Sequence, residues 1–137
     1  MKRNIFFSIL FLALGSIGIK AQESYTLTIE IEGIKKQTGN VLVLLSNSEK
    51  SFLKDGQGLT LKVEGTTVTA NYKVEEGEYA FSFFHDKNSN GKLDTNFVGI
   101  PKESYGFSNN AKGFMGPPSY QKAKFSIKGD IKVTVKF

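Results

Sequence analysis

In several runs between Tyr25 and Phe137 the apolar residues recur at every second position, and this spacing does more than any other feature to limit the folds open to the chain. Successive side chains of a strand point to opposite faces, so a period of two means a sheet with one face buried and one wet. Tyr25, Leu27, Ile29 and Ile31 alternate with Thr26, Thr28, Glu30 and Glu32. The same rhythm runs through Leu59, Leu61 and Val63, through Val68, Ala70, Tyr72 and Val74, and through Ile131, Val133, Val135 and Phe137. Ala123 to Ile127 reads as a further short strand.

Two runs break the alternation. Val41 to Leu45 is apolar at every position and so requires cover on both sides. Glu78 to His85 carries Tyr79, Phe81 and Phe83 on one face and Ala80, Ser82 and Phe84 on the other, which suits a central strand. Turn residues fall between the runs, around Gly39, Gly65, Gly77 and Gly129. About seven short strands spaced in this way predict an all-β chain folded as an antiparallel β-sandwich, immunoglobulin-like or transthyretin-like, with an open barrel as the runner-up. No sustained helical stripe is present. Ser48 to Lys54 is expected to make one helical turn with Phe52 and Leu53 tucked inward.

Met1 to Ala21 has the pattern of a secretory signal peptide: Lys2 and Arg3 at the start, an apolar run from Ile5 to Ile19, and Ala21 at a cleavage position. The apolar run falls short of the roughly 20 residues that span a bilayer as a helix. Cleavage leaves one domain, 22–137, with no membrane span. The leader also accounts for the charge. It holds three basic residues and no acids, so the formal net charge falls from +5 for the whole chain to +2 for the remainder. A balance that small gives no support to a nucleic-acid partner. The chain has no Cys, so an exported domain of this kind is not stapled by disulfides.

The sharpest chemical pattern follows the aromatic strand: Asp86-Lys87-Asn88-Ser89-Asn90-Gly91-Lys92-Leu93-Asp94. Calcium takes six to eight oxygens, and its loops supply side-chain oxygens at positions 1, 3 and 5, Gly at 6, a backbone carbonyl at 7 and often an acid at 9. Asp86, Asn88, Asn90, Gly91, Lys92 and Asp94 occupy those positions. Position 12 is Phe97, so a complete helix-loop-helix site is excluded, and Glu103, a backbone carbonyl or water must close the shell. With two formal negative charges in the loop, the expected affinity is weak, on the order of 0.1 to 1 mM. The competing reading is a metal-free turn in which Asp and Asn side chains cap their own backbone.

His85 is the sole histidine. Its parity places it with Phe81 and Phe83, so a packed, hydrogen-bonded imidazole at a strand end is expected. A small hydrolase or other small-molecule enzyme using His85 with Asp86 or Glu103 is the alternative. Zinc is disfavoured in the absence of Cys or a second His.

Val98 to Tyr120 is a long stretch without periodicity, and such loops carry function or their own packing. With Tyr105, Phe107, Phe114 and Tyr120 interleaved with Asn109 and Asn110, it makes either a platform for a sugar or peptide, with His85 and Glu103 beside it, or a set of aromatic plugs over one end of the sandwich.

The run YAFSFFHDKNSNGKLDTNFVGIPKESYGFSNN, Tyr79 to Asn110, with PPSY and AKFSI after it, resembles the DUF2141 family of small exported bacterial proteins of uncharacterised function. His85, Asp86, Asn88, Asn90, Gly91, Asp94, Asn96, Gly99, Pro101, Glu103, Tyr105, Gly106 and Phe107 fall on the pattern. The resemblance implies an exported β-sandwich and supplies no activity. The strand followed by an Asp/Asn loop is also similar to calcium loops of bacterial surface B-type repeats, at the level of fold alone. Together these readings predict an exported binding or structural module with a weak calcium loop and an adjoining binding surface. Its partner would be an envelope protein or a glycan, and a subunit of an envelope assembly is a further alternative. The compartment is the periplasm, the outer surface or the medium.

Overall fold

A computed structural model describes residues 18–137; the expected leader lies outside the described residues except for its last four, which are exposed coil. In chain order the elements are β1 (Ser24–Glu32), β2 (Asn40–Ser46), β3 (Gln57–Lys62), β4 (Thr67–Glu75), β5 (Gly77–Asp86), β6 (Tyr105–Phe107), a single turn of helix α1 (Tyr120–Ala123), β7 (Phe125–Ile127) and β8 (Ile131–Lys136). They form a β-sandwich. One sheet runs β4-β1-β8 and the other β3-β2-β5-β6, with β7 paired to the start of β5. Every pairing is antiparallel except β1 with β8, where Leu27 lies opposite Ile131 in a parallel ladder.

The alternating residues fill the space between the sheets. Leu27, Ile29 and Ile31 of β1 and Val68, Ala70, Tyr72 and Val74 of β4 meet Val41, Val43 and Leu45 of β2 and Phe81 and Phe83 of β5, all of them buried. Phe83 meets Phe137 edge to face with ring centroids 5.0 Å apart, which brings the last residue of the chain onto the core.

The two runs that break the alternation lie side by side at the middle of the second sheet, Val43 opposite Phe83 and Leu45 opposite Phe81. Their outer faces have different fates. Over the Ala80 half, Phe52, Phe107, Tyr120 and Ala123 form a second buried cluster. Phe52 stands edge to face with Tyr120, with ring centroids 5.8 Å apart. Ser108 pins this cover to the strand: its Oγ accepts from Phe81 N–H at 3.0 Å and donates to the Ala123 carbonyl at 2.6 Å. Over the other half, Leu42, Leu44 and Phe84 are left half-buried.

Three local expectations change. Tyr105–Phe107, inside the stretch expected to be a loop, pairs with Ser82–Phe84 as an eighth strand. Ala123 closes α1, and the strand after it starts at Phe125. Ser48 to Lys54 closes a single helical turn by the bond from Phe52 N–H to the Ser48 carbonyl at 3.0 Å, and Phe52 is buried as expected, but Leu53, at φ +63°, is exposed rather than tucked inward.

One glycine fixes the β2–β5 end at the point where the Asp/Asn loop departs. Gly39 has φ +70°, and a Cβ there would lie 2.1 Å from the Asp86 carbonyl oxygen, so only glycine admits this approach of two backbones.

Candidate functional site

β5 ends at Asp86, whose side chain is buried where the chain leaves the sheet. Its carboxylate organises the loop that follows: Oδ1 accepts from Asn90 N–H at 3.1 Å and Oδ2 from Gly91 N–H at 2.7 Å. Asn88 Oδ1 accepts from Asn90 N–H, and Asn90 Oδ1 accepts from Lys92 N–H. This ladder of side-chain-to-backbone bonds is what Asp and Asn offer a tight turn. Gly91 takes φ +76°, the left-handed geometry that the sixth position of a calcium loop uses.

The far side of the loop closes on Asp94, whose two carboxylate oxygens accept from the amide groups of Asn88 at 2.7 Å and Asn90 at 2.8 Å. Glu103 then locks the structure from outside. Its Oε1 accepts from Lys87 N–H at 2.9 Å and its Oε2 from Asp94 N–H at 3.1 Å, and the residue is buried. Phe97, at the twelfth position, is fully exposed.

Oxygen donors at the first, third, fifth and ninth positions are therefore close together, and a carboxylate oxygen keeps a free lone pair after one such bond. A cation would nevertheless have to displace the two amide groups now bonded to Asp94. Among the described residues no group of three or more His, Cys, Asp or Glu side chains is gathered as a metal cluster. The donor set is the all-oxygen kind that suits a hard cation.

Between Asp94 and Glu103 the chain forms a flap. Its base is the bond from Lys102 N–H to the Asp94 carbonyl at 2.8 Å, followed by an isolated bridge between Thr95 and Pro101. Asn96 holds the turn, its Oδ1 accepting from Val98 N–H at 3.0 Å and Ile100 N–H at 2.9 Å. Gly99 sits at φ +85° and donates to the Asn96 carbonyl. The flap presents Phe97, Val98 and Ile100 outward because its backbone bonds leave them no interior to enter.

The flap is one wall of an open apolar groove of about 990 Å³ on the outer face of the second sheet. Its floor is Leu42, Leu44 and Phe84, the positions where β2 and β5 break the alternation. Ile100 and Leu93 come from the loop and flap, and Leu53 and Met115 also line it. Small-molecule sites are commonly concave, mostly apolar and of this size. Thr60, Ser82 and Tyr105 are the hydroxyl side chains in the lining.

The residues expected to form a binding surface are divided by the fold. Tyr105 is about half exposed and lines the groove, and Phe107 reaches it from the buried cluster. Phe114 projects almost wholly into solvent. Tyr120 is a plug, its hydroxyl donating to the Glu78 carbonyl at 3.3 Å. Asn109 donates to the carbonyls that end α1, and Asn110 Oδ1 accepts from Lys136 N–H, so both hold structure. The long stretch is thus part plug and part groove rim.

His85 faces the inter-sheet core, with Nε2 2.7 Å from the Thr38 carbonyl and its ring beside Phe137. Among the described residues no hydrogen bond joins it to Asp86 or Glu103, so the geometry lends nothing to a His-carboxylate catalytic pair. The sequence reading did not identify the groove, although the doubly apolar runs at Val41–Leu45 and Tyr79–Phe84 were its signal.

The family model described as "Uncharacterized protein conserved in bacteria (DUF2141)" matches residues 29–135, and the chain belongs to that family. No curated protein and no solved structure matches it.

Proposed function

We propose that this DUF2141 chain is an exported binding module whose ligand seats in the groove over Leu42, Leu44 and Phe84, and whose Asp86–Asp94 loop braces the groove wall. The observation that carries this reading is the placement of the two runs that require cover on both sides. One face of each is buried in the core, while on the other face Leu42, Leu44 and Phe84 are left at the floor of a groove of about 990 Å³. The apolar lining favours an apolar or amphiphilic ligand, or an apolar segment of an envelope protein, over a glycan. A glycan would need many more hydrogen-bonding partners than Thr60, Ser82 and Tyr105 supply.

The brace has a physical role. An apolar flap that is not tied down would collapse onto the sheet and fill the groove, and the bonds from Asp86, Asn96 and Glu103 oppose that collapse. Calcium is the cofactor assigned to the loop, as a weak structural staple on Asp86, Asn88, Asn90, the Lys92 carbonyl and Asp94. What supports it is the oxygen spacing together with the left-handed Gly91. Export rests on the leader-like sequence of Met1 to Ala21.

Titration of the folded protein with an environment-sensitive apolar dye tests the groove. Saturable binding that Leu44→Glu removes while the near-ultraviolet signature of the fold persists supports the reading. Binding unchanged by Leu44→Glu contradicts it.

A further inference from the structure

We propose that the two loop tips beside the groove dock this protein onto a bilayer containing anionic lipid. Phe97 is 100 % exposed, Phe114 91 % and Met115 93 %, and Val98 and Ile100 are also exposed. These residues come from two segments that border the same groove, since Val98–Pro101 and Met115–Pro117 both line it. The flap is held by its own backbone bonds and by Asn96, so Phe97 stands at a rigid tip.

Charge selects the occupant. Lys87, Lys92, Lys102 and Lys112 flank the tips, all exposed, and none of the four forms an ion pair with a described residue. Of the three acids in the same stretch, Asp86 and Glu103 are buried and Asp94 is half-buried, so the four lysines outnumber them by one and are the charges most exposed there. The outward surface is therefore apolar points set in positive charge, a pattern that anionic headgroups over an acyl layer complement. An acidic protein would satisfy the lysines, but protein interfaces concentrate their apolar anchors in packed central pockets. Side chains projecting separately from loop tips fit a deformable lipid surface better. The inference goes beyond the groove reading and is separable from it, because neither Phe97 nor Phe114 lines the groove.

The chain has no tryptophan, so Phe97→Trp places a single indole reporter at a tip. The protein is purified from the exported fraction and its mass checked for loss of the apolar Ile5 to Ile19 run, which would itself partition into vesicles. With vesicles containing phosphatidylglycerol, the indole emission of the Phe97→Trp protein should shift to the blue, be quenched by brominated acyl chains and recover in high salt. Partition of the Phe97→Ser/Phe114→Ser protein, whose changes are at solvated positions, should be at least about tenfold weaker. Replacing Lys92 and Lys112 by Glu should weaken it by a similar factor. Unshifted indole emission overturns the proposal, as does equal partition to pure phosphatidylcholine or partition indifferent to the tip substitutions. A shift with monomeric dodecanoate but not with vesicles also overturns it, and in that case leaves the groove reading standing.

Discussion

Glu103 Oε2 accepts from the Asp94 backbone N–H at 3.1 Å, and this bond ties the end of the Asp/Asn loop to the chain just beyond the flap. The companion bond from Lys87 N–H at 2.9 Å ties the start of the loop to the same carboxylate. Glu103→Ala leaves two amides without partners and should cost about 3 kcal/mol, given the worth of hydrogen bonds to a charged group. Glu103→Gln keeps one acceptor but turns an amide group toward the other N–H, so its cost should be smaller, about 1 to 2 kcal/mol. Urea unfolding midpoints measure both. Equal stability of the three proteins would remove Glu103 as the brace.

The Asp86, Asn88 and Asn90 side chains already hold the loop backbone, so calcium should add stability rather than create the fold. At about ten times its dissociation constant calcium contributes RT ln 11, about 1.4 kcal/mol. For a domain of this size that is a rise in melting temperature of about 5 °C. Asp94→Asn removes one of the two formal charges and should abolish most of the rise. A melt identical in excess calcium and in chelator would leave the loop as a self-capped turn.

Tyr72 is buried between the sheets with its hydroxyl 3.4 Å from the Val43 carbonyl, and that burial raises its pKa above the ordinary value of 10. The unfolded chain releases this proton at about pH 10 while the folded protein retains it. Its contribution to stability is therefore present below about pH 10 and declines as pH rises from there. Unfolding free energies between pH 8 and pH 11 should fall at the alkaline end, and Tyr72→Phe should flatten that fall. A slope unaltered in the variant would mean that other groups carry the alkaline transition.

How much of this was legible beforehand depends on range. The alternation of Leu27, Ile29 and Ile31 or of Val68, Ala70 and Tyr72 reports a half-buried strand directly, because each residue's partner lies on the facing sheet whatever the details. The Asp86 to Asp94 turn was legible because its bonds are local, reaching no more than a few residues along the chain. β6 was not legible, since Tyr105–Phe107 is three residues with a glycine at its centre and carries no period. The division of the long stretch into plug and rim depends on which side chains find Ala80 and Phe52, contacts far apart in sequence. Double-sided runs signal that a second face is apolar, but not whether loops bury it. Here the loops bury the Ala80 end and stop short of Leu42, Leu44 and Phe84.

The central claim is that this uncovered face is where the protein binds its ligand, and two-dimensional amide NMR during titration with a monomeric apolar ligand such as dodecanoate tests it most directly. The account predicts saturable shifts at Leu42, Leu44, Ser82 and Phe84 and along the flap from Leu93 to Ile100, with the β1 and β4 amides unmoved. Shifts absent from the sheet, or spread evenly over both sheets without saturation, would contradict it.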